Sequence, residues 1–211
     1  MPADETELEA AYRVVADEYA QRIYHELDHK QLDRELLERF AGRVRGNGRV
    51  YDLGCGPGHV TRFLHERGVE ITGIDLSQAM IERALTLNPG VRFRRGDMRA
   101  MTDPDDSVAG MIAFYSIVHF APDTLEPIFA ELARVLHPGA PLLLAFHIGT
   151  ESVHMDSWWG HPVSVDFHFF DPIQIMTTLE HAGFQIVERT ERDPYPEVEY
   201  QSRRAYIRAE R

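Results

Sequence analysis

Apolar residues recur along this chain with two different spacings, and the change from one to the other divides it. Leu8, Ala11, Tyr12, Val15, Ala16 and Tyr19 share one face of a predicted helix over residues 5–25. Leu32, Leu36, Leu37, Phe40, Ala41 and Val44 do the same over about 31–44, and Gly46-Asn47-Gly48 breaks the chain. From Val50 onward, short continuous apolar runs alternate with helical ones. Strands are predicted at Val50–Leu53, Val69–Asp75, Val91–Arg95, Val108–Phe114 and Pro141–His147. Helices lie between them. One follows the glycines at 54–58, one is capped by Ser77, and one carries Leu125, Ile128, Phe129, Leu132, Val135 and Leu136. Runs that are apolar throughout indicate strands covered on both faces. Such alternation specifies a mostly parallel, doubly wound α/β sheet.

The pattern lapses after His147. Residues 148–170 hold Trp158, Trp159, Phe167, Phe169 and Phe170 with little period, and are expected to form an irregular insert. Asp171-Pro172 then starts a helix that Gly183 closes. Strands over Phe184–Thr190 and Tyr200–Ala209 finish the chain. The 211 residues are expected to form one domain, with residues 1–46 as N-terminal helices covering a ligand.

Charge and composition narrow the function classes. A net charge of -12 argues against a nucleic-acid partner, which needs a basic face to displace counterions. The acidic N-terminus MPADETELEA does not resemble a signal peptide, and no run of about 18 apolar residues would span a membrane. One cysteine, Cys55, permits no internal disulfide, which suits a reducing compartment; a cytoplasmic location is expected. His147, His154, His161 and His168 fall seven apart, but that spacing has no meaning in an irregular loop, and no metal site is assigned.

The sharpest chemical feature is Asp52-Leu53-Gly54-Cys55-Gly56-Pro57-Gly58, between the first predicted strand of the sheet and a helix. Glycines there allow a tight turn and close approach to a ligand, and the helix start offers unpaired N–H groups. Asp75 follows Gly54 by 21 positions, at the end of the next strand, where it can meet a ribose. Two cofactor classes suit such a site. A dinucleotide fingerprint reads G-x-G-x-x-G, but here the third glycine comes one residue early. Asp52 would repel a pyrophosphate and could help hold an ammonium, which favours S-adenosylmethionine.

The segment Val50 to Gly58 resembles the first motif of the class I S-adenosylmethionine-dependent methyltransferases, small-molecule type. Gly73-Ile74-Asp75-Leu76-Ser77 is similar to the family's ribose-binding segment, Gly96-Asp97-Met98 to its adenine-binding segment, and Leu136-His137-Pro138-Gly139 to its post-core motif. Ala140 stands where that motif usually has a second glycine. Tyr12 and Tyr19 match the spacing Tyr-x-x-x-A-x-x-Tyr of many relatives. The resemblance implies a Rossmann-like seven-stranded sheet in the order 3-2-1-4-5-7-6 with the last strand antiparallel. It also implies cofactor contacts from Tyr12, Tyr19, Asp52, Gly54, Cys55, Gly56, Gly58, Asp75, Leu76, Met80, Asp97, Met98, Tyr115 and Ser116.

Displacement at a sulfonium methyl asks the protein mainly for orientation and a dry cavity. The acceptor is expected above the fourth and fifth strands, with His119 and His147 as candidate bases. Residues 148–170 are expected to cap it, with Trp158, Trp159 and Phe167 as binding residues. The expected partner is a small-molecule acceptor, and the chain is expected to be a monomer or homodimer. A protein or RNA methyltransferase and a non-catalytic cofactor-binding scaffold are the alternatives.

Overall fold

The computed structural model describes residues 5–211; the first four residues of the expected 1–46 helical segment lie outside the described residues. Seven strands form the central sheet: β1 (Val50–Leu53), β2 (Ile71–Asp75), β3 (Arg92–Arg95), β4 (Gly110–Phe114), β5 (Pro141–His147), β8 (Gln185–Arg192) and β9 (Arg204–Glu210). β6 (Ser152–Trp158) and β7 (His161–His168) make a separate antiparallel hairpin. The helices are α1 (Glu5–Ile23), α2 (Gln31–Val44), α3 (His59–His65), α4 (Gln78–Leu87), α5 (Leu125–Val135) and α6 (Pro172–His181).

The sheet runs β3-β2-β1-β4-β5-β9-β8, mostly parallel, with β9 antiparallel to both neighbours. This corrects the expected 3-2-1-4-5-7-6. Residues 148–170 were expected to be irregular, yet they supply two strands that stand outside the sheet. The eighth and ninth strands in chain order therefore fill its last two places. Only one strand of the hairpin carries a readable alternation. Val163, Val165 and Phe167 alternate with Ser164, Asp166 and His168, while a register shift between Met155 and Ser157 interrupts the alternation on β6. Its two-residue turn is Trp159-Gly160, with φ of 50° and 83°, the pair of left-handed residues that a tight hairpin turn needs.

Both faces of the sheet are covered. The apolar stripe of α5 and Ile175 and Leu179 of α6 pack on one side against Met111, Leu142, Leu144 and Phe146. Leu37, Phe40 and Val44 of α2, with Val60 and Leu64 of α3, pack on the other against Val50, Ile112, Leu143 and Ala145. Alternate residues of each strand thus feed two cores, which is why the strands read as unbroken apolar runs. Helix starts follow their caps: Ser77 Oγ accepts from the Met80 N–H, and Asp171 Oδ1 from the Ile173 N–H. β4 begins at Gly110, and Val108 before it bridges to Leu136. A third, smaller core of Ala11, Val15, Trp158 and Val165 joins α1 to the hairpin, so both roof the carboxyl ends of the parallel strands.

Candidate active site

One cavity of about 820 Å³ opens at the carboxyl ends of β1, β2, β4 and β5, where a doubly wound sheet presents its ligand crevice. The glycine loop forms its floor. Gly54 sits at φ 69°, and a Cβ there would lie 2.3 Å from Ser116 Cβ, so loop and post-β4 segment touch backbone to side chain. Gly56 sits at φ 52°, and a Cβ there would meet only Tyr19 Cε1 at 3.7 Å, leaving room for a ligand. The Gly56 N–H donates to Asp75 Oδ2 and the Ser77 N–H to Oδ1, each at 2.8 Å. Asp75 therefore ties the loop to the start of α4 while keeping lone pairs for a ligand. Burial pushes its pKa up to about 6, against the two backbone N–H bonds.

Beside Asp75 lie Leu76, Asp97 and Met98 on the cavity wall. Asp97 accepts from the Arg99 backbone N–H at 2.8 Å and pairs with its guanidinium. Ser116 Oγ is buried, lines the cavity and has no hydrogen-bond partner among the described residues. Cys55 also lines the cavity, its thiol held protonated by burial.

Three residues expected to contact the cofactor stand elsewhere. The Thr61 hydroxyl donates to Asp52 Oδ2 at 2.6 Å, so Asp52 turns toward α3 and is not on the cavity wall. Burial raises its pKa to about 6. Gly58 is a packing glycine: a Cβ there would strike the Phe93 ring at 2.6 Å. Met80 is buried on α4, away from the crevice.

Aromatic rings form the roof. Tyr12, Tyr19, Trp158 and Phe167 meet edge to face, with Trp158 centroids 5.5 Å from Tyr12, 5.6 Å from Tyr19 and 5.2 Å from Phe167. Trp159 stacks beside Trp158, with the Arg22 guanidinium 5.0 Å over its ring. Trp158 does two things at once: it lines the cavity and closes the small core under α1. His119 faces the same roof. Its Nδ1 lies 3.2 Å from the Asp166 carbonyl, which only accepts, so Nδ1 carries the proton. Nε2 then accepts from the Tyr12 hydroxyl at 2.7 Å. Burial lowers the His119 pKa to about 4, so this neutral arrangement holds at pH 7.

The far end of the cavity is polar, and of its residues only Tyr115 and His147 are expected from the sequence. Lys30, Glu26, Glu199 and Arg204 line it beside Tyr115, His147, Phe169 and Tyr200. Lys30 Nζ is 2.7 Å from Glu26 Oε2 and 3.2 Å from Glu199 Oε2. Glu199 also pairs with Arg192 and lies 3.0 Å from Arg204 Nε, while Arg192 reaches Asp33 at 3.0 Å. Burial alone would raise the Glu199 pKa, but the Arg192 bond, the Tyr195 N–H and the neighbouring cations bring it down to about 2. Tyr115, at φ 54°, presents its ring to Lys30 at 5.3 Å. His147 Nδ1 is 2.7 Å from Ser202 Oγ, and burial followed by the Arg204 and Lys30 charges lowers its pKa to about 3. One sequence signal pointed here: Lys30 is the sole lysine among 22 Lys and Arg residues, and a lone lysine kept inside a fold needs a reason.

Of the four histidines spaced by seven, only His147 lines the cavity; His154 pairs with Asp166 and Asp156 on the exposed hairpin face. No described helix is long and apolar enough to cross a membrane.

Fold and crevice together define a Rossmann-like domain built for a nucleoside-bearing ligand. Residues 50–139 match the family model described as a methyltransferase domain. The chain is 29% identical over 143 residues to malonyl-[acyl-carrier protein] O-methyltransferase of Enterobacter lignolyticus, a match covering 67% of this chain and 53% of that protein. It is 36% identical over 97 residues to trans-aconitate 2-methyltransferase of Rhizobium meliloti, covering 45% and 37%. The chain thus spans about half or less of the length of these two relatives. Magnesium protoporphyrin IX methyltransferase from Synechocystis PCC 6803, solved with bound S-adenosylmethionine, superposes with a TM-score of 0.75 at 19% identity, covering 99% of this chain and 97% of that one. The chain has the fold of that methyltransferase, and its residues 50–139 are similar to a methyltransferase domain.

Proposed function

We propose that this chain is an S-adenosylmethionine-dependent methyltransferase acting on a small-molecule acceptor. The observation that carries the reading is Asp75, held between Gly56 and Ser77 at the junction of glycine loop, β2 and α4. Its free lone pairs suit the two ribose hydroxyls. Asp97 and Met98 suit the adenine ring. Gly54, Gly56 and the unpartnered Ser116 hydroxyl suit the amino-acid end, with Tyr12 and Tyr19 above it. S-adenosylmethionine, when bound, supplies a methyl group on a sulfonium whose leaving group is a neutral thioether.

The chain's own work is then to bind, orient and exclude water. The helices of residues 1–46 cover the cofactor side, and the hairpin within residues 148–170 caps the acceptor. The 820 Å³ cavity falls within the range of sites for small ligands. His119 and His147 are both neutral at pH 7, so each has one donor and one acceptor nitrogen and adds no charge. Because Tyr12 occupies the His119 Nε2 lone pair, a proton leaving an acceptor in this quarter would pass through the Tyr12 hydroxyl. A base is needed only where the acceptor must lose a proton.

Calorimetric titration with S-adenosylhomocysteine, followed by a methyl-transfer screen over small metabolites, tests the reading. Binding with turnover on at least one small acceptor is expected. Binding without turnover on any acceptor would favour the non-catalytic scaffold instead.

A further inference from the structure

The amino-acid end of S-adenosylmethionine carries an ammonium. The sequence offers Asp52 for it, but Asp52 turns to Thr61 and is off the cavity wall. A carboxylate that meets this ammonium would stand on the wall beside the glycine loop. Among the described residues, Glu9, Glu26, Asp75, Asp97, Glu197 and Glu199 line the cavity. Asp75 and Asp97 suit the ribose and the adenine. Glu9 pairs with Arg95 at 2.8 Å, beside β3 at the sheet edge. Glu197 is exposed in the β8–β9 connection. Glu199 is shared by Lys30, Arg192 and Arg204.

Glu26 differs from these five. It starts the short helical turn Glu26–His29 between α1 and α2. Its Oε1 lies 3.1 Å from Nε2 of His59, the first residue of α3, directly after Gly58. Its Oε2 lies 2.7 Å from Lys30 Nζ. The Glu26 side chain keeps 17% exposure, against 3% for Glu199. Glu26 is thus the carboxylate of the polar wall that reaches the glycine loop, and each of its oxygens keeps a second lone pair. Tyr19 marks the same place. Its Cε1 stands 3.7 Å from where a Gly56 Cβ would be. Burial, and then the charges of Glu26 and Asp75, push the Tyr19 pKa up, so its ring has one carboxylate on either side.

The charges around Glu26 are balanced. Lys30, Arg192 and Arg204 meet Glu26, Asp33 and Glu199, three of each sign. A wall without net charge suits a ligand end that is itself a zwitterion. Burial alone would raise the Glu26 pKa, but the Lys30 charge and the His59 hydrogen bond bring it down to about 2, so Glu26 is ionised at neutral pH. An ammonium donating to a carboxylate makes one of the stronger hydrogen bonds available to a ligand.

Resting on the methyltransferase reading above, we infer that Glu26 binds the ammonium of the cofactor's amino-acid end, beside the glycine loop, in the place the sequence offers to Asp52. An amine on the acceptor is the other source of an ammonium, and the experiment separates the two.

Calorimetric titration of the full chain uses three probes that share the nucleoside and the sulfur. S-adenosylhomocysteine has both charges, its decarboxylated form has the ammonium alone, and methylthioadenosine has neither. The parent is expected to bind both ammonium-bearing probes at least about tenfold more tightly than methylthioadenosine. Glu26→Gln keeps the side-chain shape and removes the charge. It is expected to weaken both ammonium-bearing probes by about tenfold to a hundredfold, the loss of one charge-assisted hydrogen bond, and to leave methylthioadenosine within about twofold. Equal loss for all three probes would make Glu26 a support of the loop only and overturn the inference. Unchanged affinity for the ammonium-bearing probes would also overturn it, leaving Glu26 for an amine on the acceptor. So would a loss confined to S-adenosylhomocysteine, which would assign Glu26 to the cofactor's carboxylate through Lys30. Should Glu26→Gln not fold, the parent still decides: an ammonium-bearing probe bound no more tightly than methylthioadenosine overturns the inference. A parent that binds none of the three is a failure of the methyltransferase reading itself, visible before any variant is made.

Discussion

The two ends of the cavity are built on different principles. The cofactor end is made of backbone: two left-handed glycines, N–H groups of the loop and of α4, and one carboxylate that ties them together. The far end is made of long charged side chains from the start of α2, β8, the β8–β9 connection and β9, where Lys30, Arg192 and Arg204 meet the carboxylates of Glu26, Asp33 and Glu199. Backbone sites tolerate no change of shape but carry little charge. Side-chain sites tolerate changes of shape but are sensitive to the loss of one charge. Substitutions at the two ends should therefore fail in different ways.

The largest effect is expected at the far end. Glu199→Ala would leave Arg204 without a carboxylate partner among the described residues, while Lys30 keeps Glu26 and Arg192 keeps Asp33, at a cost of about 3–5 kcal/mol in stability. Urea denaturation measures it. Cofactor affinity of the protein that remains folded should change little. Gly54→Ala comes next, at about 2–5 kcal/mol, combining the left-handed backbone with a Cβ 2.3 Å from Ser116. Here S-adenosylhomocysteine affinity should collapse together with stability. Gly56→Ala sharpens the contrast. Its strain is about 1–2 kcal/mol, but its methyl would point into open cavity beside Tyr19, so binding should be lost while the fold survives. If Gly54→Ala and Gly56→Ala gave the same ratio of lost stability to lost affinity, the glycines would not have separate roles.

The smallest expected effect is that of pH. Asp75 has a folded pKa of about 6, above its unfolded value near 3.8, because burial penalises its charge. As pH falls through 6 the native protein takes up a proton before the unfolded chain does. Asp75 therefore favours folding more at pH 5 than at pH 7, while the ionised form that accepts from ribose is lost. Cofactor affinity should fall several-fold from pH 7 to 5, and Asp75→Asn should flatten the profile. Glu199 has the opposite sign. Its folded pKa is about 2, below the ordinary 4.5, so its contribution is fully present above 4.5 and lost as pH falls through 2.

The same contrast explains what could be read from sequence. The cofactor end lies in three short contiguous segments, 52–58, 73–77 and 96–98, and glycine and aspartate announce a turn and a ribose acceptor locally. Even there, Asp52, Gly58 and Met80 are off the cavity wall. A motif fixes which residues are adjacent in sequence, but the pleat sends Asp52 to Thr61 instead. The far end brings Lys30 and Arg204 together across most of the chain, and no window of sequence contains that pairing. The hairpin lay between these extremes. Val163, Val165 and Phe167 alternate visibly, and Trp159-Gly160 is a readable turn, but the shift at Met155–Ser157 broke the period on the other strand.

The central claim is that the backbone-built end binds S-adenosylmethionine rather than a dinucleotide. Calorimetric titration of the full chain and of Asp75→Ala with S-adenosylhomocysteine, and of the full chain with NAD, tests it most directly. Saturable binding of S-adenosylhomocysteine, weakened by about tenfold to a hundredfold for each charge-assisted bond lost in Asp75→Ala, and no binding of NAD are expected. Tight NAD binding, or an Asp75→Ala variant with unchanged affinity for S-adenosylhomocysteine, would contradict it.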